Sequence, residues 1–130
     1  MTAFSDYLED ALLNETLKNV NYVPAATIYV GLHTASPTDT GSLVTEVSGG
    51  AYARTAIVFG VVAAGAVANS TLVTFPTATA SWGIVTHFGL WDTSGNTPNL
   101  LYHGALTVQK TVDSGDIFTI PIGNLTVTLQ

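Results

Sequence analysis

Charged side chains are scarce in this chain: Asp, Glu, Lys and Arg make up 9% of its 130 residues, against about 25% in ordinary globular domains. Cysteine is absent, which excludes disulfides and thiolate chemistry together. Lys18, Arg54 and Lys110 supply all the fixed positive charge, and the net charge is −6. Cations so scattered cannot neutralise a run of phosphates, so nucleic acid is not an expected partner. Nor is a membrane, because no window reaches the ~18 unbroken apolar residues of a span. The nearest, Ile57 to Ala68, is short, rich in Gly and Ala, and followed by Asn69 and Ser70. The start, Met-Thr-Ala-Phe-Ser-Asp, lacks the basic residues and long apolar core of a signal peptide. Synthesis in a cytoplasm is expected, and the sequons at Asn14, Asn69 and Asn124 read as chance matches.

Threonine and serine stand where a typical soluble domain shows lysine and glutamate. The mean hydropathy of +0.40 therefore reflects missing charge, not extra Leu or Ile. A sheet surface of this kind repels neighbouring copies weakly and suits packing inside a larger assembly. The length fits a single domain that buries roughly two-thirds of its unfolded surface.

Residues 1–22 read as an N-terminal helix or arm packed on the same domain. Ser5 or Asp6 can cap it, and Asp6 with Glu9 has capping-box spacing. Leu8, Ala11 and Leu12 follow helical steps, and Leu13, Leu17 and Val20 widen the stripe. Asn19, Asn21 and Pro24 end it. Such a helix either covers the sheet or serves as a docking arm for a partner.

Residues 23–130 read as β. Thr27 to Thr34 alternates, with Ile28, Val30 and Leu32 on one face and Thr27, Tyr29 and His33 on the other. Ala35 to Gly50 is a long loop with a short strand expected at Leu43 to Val47; loops this long are often contact arms. Strands follow at Ala51 to Phe59, Leu72 to Phe75, Trp82 to Asp92, Leu100 to Val108, Lys110 to Val112, Ile117 to Ile122 and Leu125 to Leu129. Gly60 to Asn69 reads as a bulged strand or an ordered loop. Regular spacing with turn punctuation predicts a mainly β fold: an antiparallel β-sandwich, jelly-roll-like, with one N-terminal α-helix.

Catalytic chemistry finds little support. His33, His87 and His103 could assemble a three-imidazole metal site, but they lack the local spacing that holds two ligands together; structural, hydrogen-bonded histidines are the plainer reading. No G-x-S-x-G elbow occurs. Asp92, Asp113 and Asp116 sit at strand ends, where turn-making aspartates belong. No cofactor, metal or enzymatic activity is expected. Trp82, Trp91 and Tyr102 could line a platform for sugar, or else form an aromatic core between two sheets.

Several segments, in order, carry a family likeness. These are Ser5-Asp6-Tyr7-Leu8-Glu9, Thr45-Glu46-Val47-Ser48-Gly49-Gly50-Ala51-Tyr52-Ala53-Arg54, and Phe75-Pro76-Thr77-Ala78 running on to Trp82-Gly83-Ile84-Val85-Thr86-His87-Phe88-Gly89. With Leu100-Leu101-Tyr102-His103-Gly104 and Gly115-Asp116, the chain resembles a family of small tailed-bacteriophage virion proteins, tail-fibre-like or capsid-decoration-like. The resemblance implies a structural protein of the virion, made in the host bacterial cytoplasm, with no catalytic motif to carry over.

The leading expectation is a capsid decoration (cement) protein. Its partners would be the major capsid protein and copies of itself, as a homo-trimer or another symmetric oligomer. Ser5, Asp6, Pro37, Thr38 and Glu46 are the candidate contact residues. The rival expectation is a tail- or head-fibre adhesin that binds host surface glycan through Trp82, Trp91 and Tyr102. A cupin-like metal protein is the third.

Overall fold

The computed structural model describes residues 2–129. The elements in chain order are β1 (Thr2–Phe4), α1 (Asp6–Lys18), β2 (Ile28–His33), β3 (Thr55–Ile57), β4 (Ala66–Ala68), β5 (Val73–Thr74), β6 (Gly83–Trp91), β7 (Leu100–Val112), β8 (Thr119–Ile120) and β9 (Thr126–Thr128). Five strands form one antiparallel sheet in the order β1-β7-β6-β2-β3, and two antiparallel ribbons, β4–β9 and β5–β8, supply the opposing layer. The fold is mainly β and sandwich-like, with a single N-terminal helix.

Alternation fixes which face is buried. Val30 pairs with Leu90 and Leu32 with Phe88, and all four side chains point into the space between the layers. Val73, Ile120 and Val127 come down from the ribbons to meet them in one cluster. Shifting β2 by one residue would exchange Val30 and Leu32 for Tyr29, Gly31 and His33, so the register is strongly specified. At one end of this core Phe75 meets Phe118 edge-on at 5.6 Å and Tyr52 meets Trp82 at 5.4 Å. The Trp82 indole donates to the Gly50 carbonyl at 2.8 Å. That bond satisfies its one polar atom and lets the ring be buried.

Ser5 caps α1 by accepting from the Leu8 amide at 3.1 Å, and its hydroxyl donates to the Leu100 carbonyl. The cap is therefore also the anchor that ties the helix to β7. Asn19, left-handed at φ 55°, closes the other end. Leu8 is the buried residue of the helix, whereas Leu13 and Leu17 stand out in solvent. The helix touches the sheet through its first turn and leaves most of its length uncovered.

Four features differ from the pattern reading. β1, which pairs Thr2 with Gly104 and Phe4 with Tyr102, is too short to show a period. The strand expected at Leu43 to Val47 is a single bridge between Glu46 and His33. The strand expected over Ala51 to Phe59 shrinks to Thr55–Ile57, because Ala51 adopts φ 64° and turns the chain. Leu100 to Val108 and Lys110 to Val112 are one strand, β7, with a break in its pairing. Val85 pairs with Lys110 and His87 with Ala105, so Leu106, Thr107, Val108 and Gln109 stand opposite Thr86 alone.

Gly60 to Asn69 is a hairpin arm. Ala63 and Ala66 exchange both backbone hydrogen bonds at 3.0 Å around Ala64 and Gly65, whose φ values of 53° and 74° give the two left-handed residues of a tight hairpin turn. Asn69 at its base is buried. Its amide nitrogen donates to the Thr71 and Pro121 carbonyls at 2.9 and 3.0 Å, and its oxygen accepts from the Leu125 amide at 3.0 Å. One side chain thus joins the β4–β9 and β5–β8 connections. Asn69→Ala would leave the buried Leu125 amide without its partner and remove the bonds to the Thr71 and Pro121 carbonyls, and is expected to destabilise the fold by about 1–3 kcal/mol, measured by urea denaturation.

Candidate functional site

The outer face of the five-stranded sheet is roofed by the Ala35 to Gly50 loop. Tyr29, Gly31 and His33 of β2 lie opposite Trp91, Gly89 and His87 of β6, on the side away from the core. The loop comes down on this row at Glu46, whose carboxylate receives Arg54 in a fork. Nη2 meets Oε1 at 2.7 Å and Nε meets Oε2 at 2.8 Å, while the Tyr52 hydroxyl donates to Oε2 at 2.7 Å. Burial and the neighbouring carboxylate raise the Tyr52 pKa well above its usual value, so it stays a donor. Its oxygen also accepts from the Leu32 amide at 2.9 Å. Arg54 lies 4.8 Å from the Trp91 ring centroid and donates to the carbonyls of Thr93 and Gly95 at 3.3 and 3.1 Å. All three guanidinium nitrogens thus donate hydrogen bonds, and a buried ion pair tolerates desolvation only with such geometry.

His33 stacks on Trp91, with ring centroids 5.8 Å apart. Its Nδ1 meets the Thr45 hydroxyl at 3.0 Å, whereas His33 Nε2 and Trp91 Nε1 have no hydrogen-bond partner among the described residues. Burial in this apolar stack lowers the His33 pKa to about 4, outweighing the opposing pull of Glu46. The floor is glycine for a steric reason. A Cβ at Gly31 would lie 2.8 Å from Glu46 Oε2, and one at Gly89 would lie 2.8 Å from Trp91 Nε1.

The candidate contact residues divide sharply. Ser5 and Pro37 are fully buried, and Glu46 is committed to Arg54 and Tyr52. Asp6 and Thr38 are exposed; the Asp6 amide nonetheless donates to the Asp39 carbonyl at 2.9 Å. The three aromatics are not brought together. Trp82 and Trp91 are 4% and 1% exposed, in separate clusters, and Tyr102 packs against Phe4 at 5.3 Å. Two tryptophans so deeply enclosed offer no stacking face to a sugar.

His33 and His87 are cross-strand neighbours; burial first, and then the charge of His103, lower the His87 pKa. His103 instead pairs with Asp39 at 2.7 Å. Among the described residues no group of three His, Cys, Asp or Glu side chains is placed to hold a metal ion. The Glu46–Arg54 clamp escaped the pattern reading. Its one signal was the placement of Tyr52 and Arg54 on the same side of an extended segment.

Two surfaces remain without an internal partner. On α1 and the segment after it, Leu13, Leu17, Val20 and Val23 are exposed beside Asp10 and Glu15. On the opposite layer a groove of about 280 Å³ opens between the sheet and the β4–β9 ribbon, lined almost wholly by apolar atoms of Ile28, Phe59, Val62, Val67, Tyr102 and Leu129. No helix among the described residues is long and apolar enough to cross a membrane.

The fold is a mainly β domain in which Glu46, Arg54, Tyr52 and Asn69 are held in internal hydrogen-bond networks. The family model described as podophage GP4 fiber I protein gp80 matches residues 3–128, and the chain belongs to this family of small tailed-phage virion proteins. A search of curated proteins finds no match to it.

Two measurements check the clamp. Glu46→Ala leaves Arg54 buried and unpaired and is expected to destabilise the fold by about 3–5 kcal/mol in chemical denaturation. Between pH 6.5 and 4 the unfolded chain takes up a proton at residue 33 that the folded chain refuses. Stability is therefore full above the ordinary histidine pKa of 6.5 and falls as pH drops toward about 4, by up to about 3 kcal/mol. His33→Gln should flatten this part of the profile in thermal melts, leaving the slope due to carboxylates.

Proposed function

We propose that this protein is a repeated structural subunit of a virion fibre in a short-tailed phage particle. The observation that carries the reading is the match of residues 3–128 to a family described by its fiber protein. The physical character of the domain supports it. Its polar chemistry is spent on rigidity, since Glu46, Arg54, Tyr52 and Asn69 all bond internally. Its unsatisfied surface is apolar, the property that adds stability when covered by a neighbour, at roughly 25 cal/mol per Å² before association costs. A fibre bears mechanical load, and a clamped loop with an anchored helix resists being peeled away.

The finer alternative, a decoration protein on the head shell, draws on α1. Its exposed Leu13 and Leu17 form an arm of the kind that a groove on a shell protein would bury. A glycan-binding role would have to use residues other than Trp82 and Trp91.

Copy number separates the readings. Gel densitometry of purified virions is expected to find a dozen or so copies of the chain, and gold-labelled antibody to mark fibres rather than the whole head. Hundreds of copies spread over the head would replace the fibre reading with decoration, and absence from purified virions would end both.

A further inference from the structure

We infer that the β4–β9 layer, centred on the Gly60 to Asn69 hairpin, is the face through which copies of this chain join one another. This deepens the reading of the protein as a repeated subunit and rests on it. The first observation is the placement of charge. No Asp, Glu, Lys or Arg occurs between Arg54 and Asp92, or after Asp116. Those two stretches build β4, β5, β8 and β9 entirely, so one whole layer of the sandwich is free of fixed charge. Asp6, Glu9, Asp10 and Glu15 lie on α1 instead. A chain of net charge −6 repels its own kind less across such a layer than across the acidic helix.

Exposed apolar surface is the second observation. From Ile57 to Ala68 the sequence has no polar side chain, yet Val61 is 89% and Val62 71% exposed. The patch extends sideways. The Ser70 amide bonds the Val58 carbonyl and the Gly123 amide bonds the Asn69 carbonyl, which brings exposed Val58, Leu72 and Ile122 alongside. An aliphatic side chain contributes about 60–120 Å² on the usual transfer scale, so these five side chains, all more than half exposed, present on the order of 200–400 Å². A standard interface covers about 800 Å² per partner, of which roughly 450–500 Å² is apolar. The patch supplies on the order of half of that share or more.

Shape agrees. The groove of about 280 Å³ runs along the hairpin, with Phe59, Val62, Gly65 and Leu129 in its wall, next to the exposed Val61. An apolar ridge beside an apolar recess lets identical copies interlock about a symmetry axis. An acidic or basic partner protein would find no complementary charge here. A second copy of this chain finds its own chemistry.

Sedimentation velocity on the purified full chain tests this. Wild type is expected to sediment as a discrete oligomer. Val61→Asp, at a position too exposed to disturb the core, is expected to weaken association by about tenfold or more. Leu17→Asp on α1 should leave association unchanged. Circular dichroism confirms that each variant is folded, and Ile122→Asp serves as a second probe of the same face. A monomeric wild type overturns the inference, as does an oligomer that Leu17→Asp dissociates and both Val61→Asp and Ile122→Asp spare. It is equally overturned if monomeric wild type floats with phosphatidylethanolamine–phosphatidylglycerol vesicles and Val61→Asp does not, because the face would then be a lipid surface. These results concern association in solution. A monomer still found in virion fibres would sink this inference and leave the proposed function standing.

Discussion

The structure depends on one buried carboxylate. Glu46 sits on the outer face of a sheet whose other face is a conventional aliphatic core, and it draws Arg54 and Tyr52 onto itself from a later stretch of chain. That convergence adds to the backbone bonds of Thr45 and Val47 with β2 and its end in holding the Ala35 to Gly50 loop on the sheet. Without the loop, Gly31 and Gly89 would be an uncovered strip of backbone, and Trp91 would be a large apolar ring facing water. Most of the loop's side chains are small and polar, and its hydrophobic drive comes chiefly from buried Val47 and Pro37. Electrostatics and shape together do here what hydrophobic burial does on the other face, so a thin sandwich acquires a third layer made of irregular chain.

That arrangement explains why the sequence was partly legible. Val30, Leu32, Phe88 and Leu90 announce themselves by alternation, and the turns at Asn19 and Gly115 lie where left-handed residues are easiest to place, whereas the tight turn at Ala64 and Gly65 was not foreseen. The helix cap was readable for the same reason, since Ser5 stands just before the first helical turn. Local chemistry fixes all of these, so a window of a few residues contains the information.

Contacts distant in sequence were not legible. β1 has three residues and earns its place only by pairing with β7. His33 and Trp91 look alike in sequence whether they face solvent or a roof. A loop of Ser, Thr, Pro and Gly has the composition of an exposed arm, and that composition suggested surface roles for Pro37 and Glu46, whose side chains lie inside. Composition reports what a segment would do alone; the Glu46 clamp is a property of two segments. The virion identity was readable from ordered sequence segments, and no amount of periodicity would have supplied it.

The break in β7 has a consequence for how the protein can change. Leu106 to Gln109 form a bulge whose extra chain lies outside the ladder, and pairing resumes on both sides; Leu106 packs against the core, whereas Thr107 to Gln109 are exposed. Changing the length of the bulge at Thr107 to Gln109 moves no core residue to the wrong face, because slippage is absorbed where nothing is paired. A foreign peptide grafted there would be carried on every copy without disturbing the sandwich. The same tolerance marks it as the place where natural diversification of length meets least resistance.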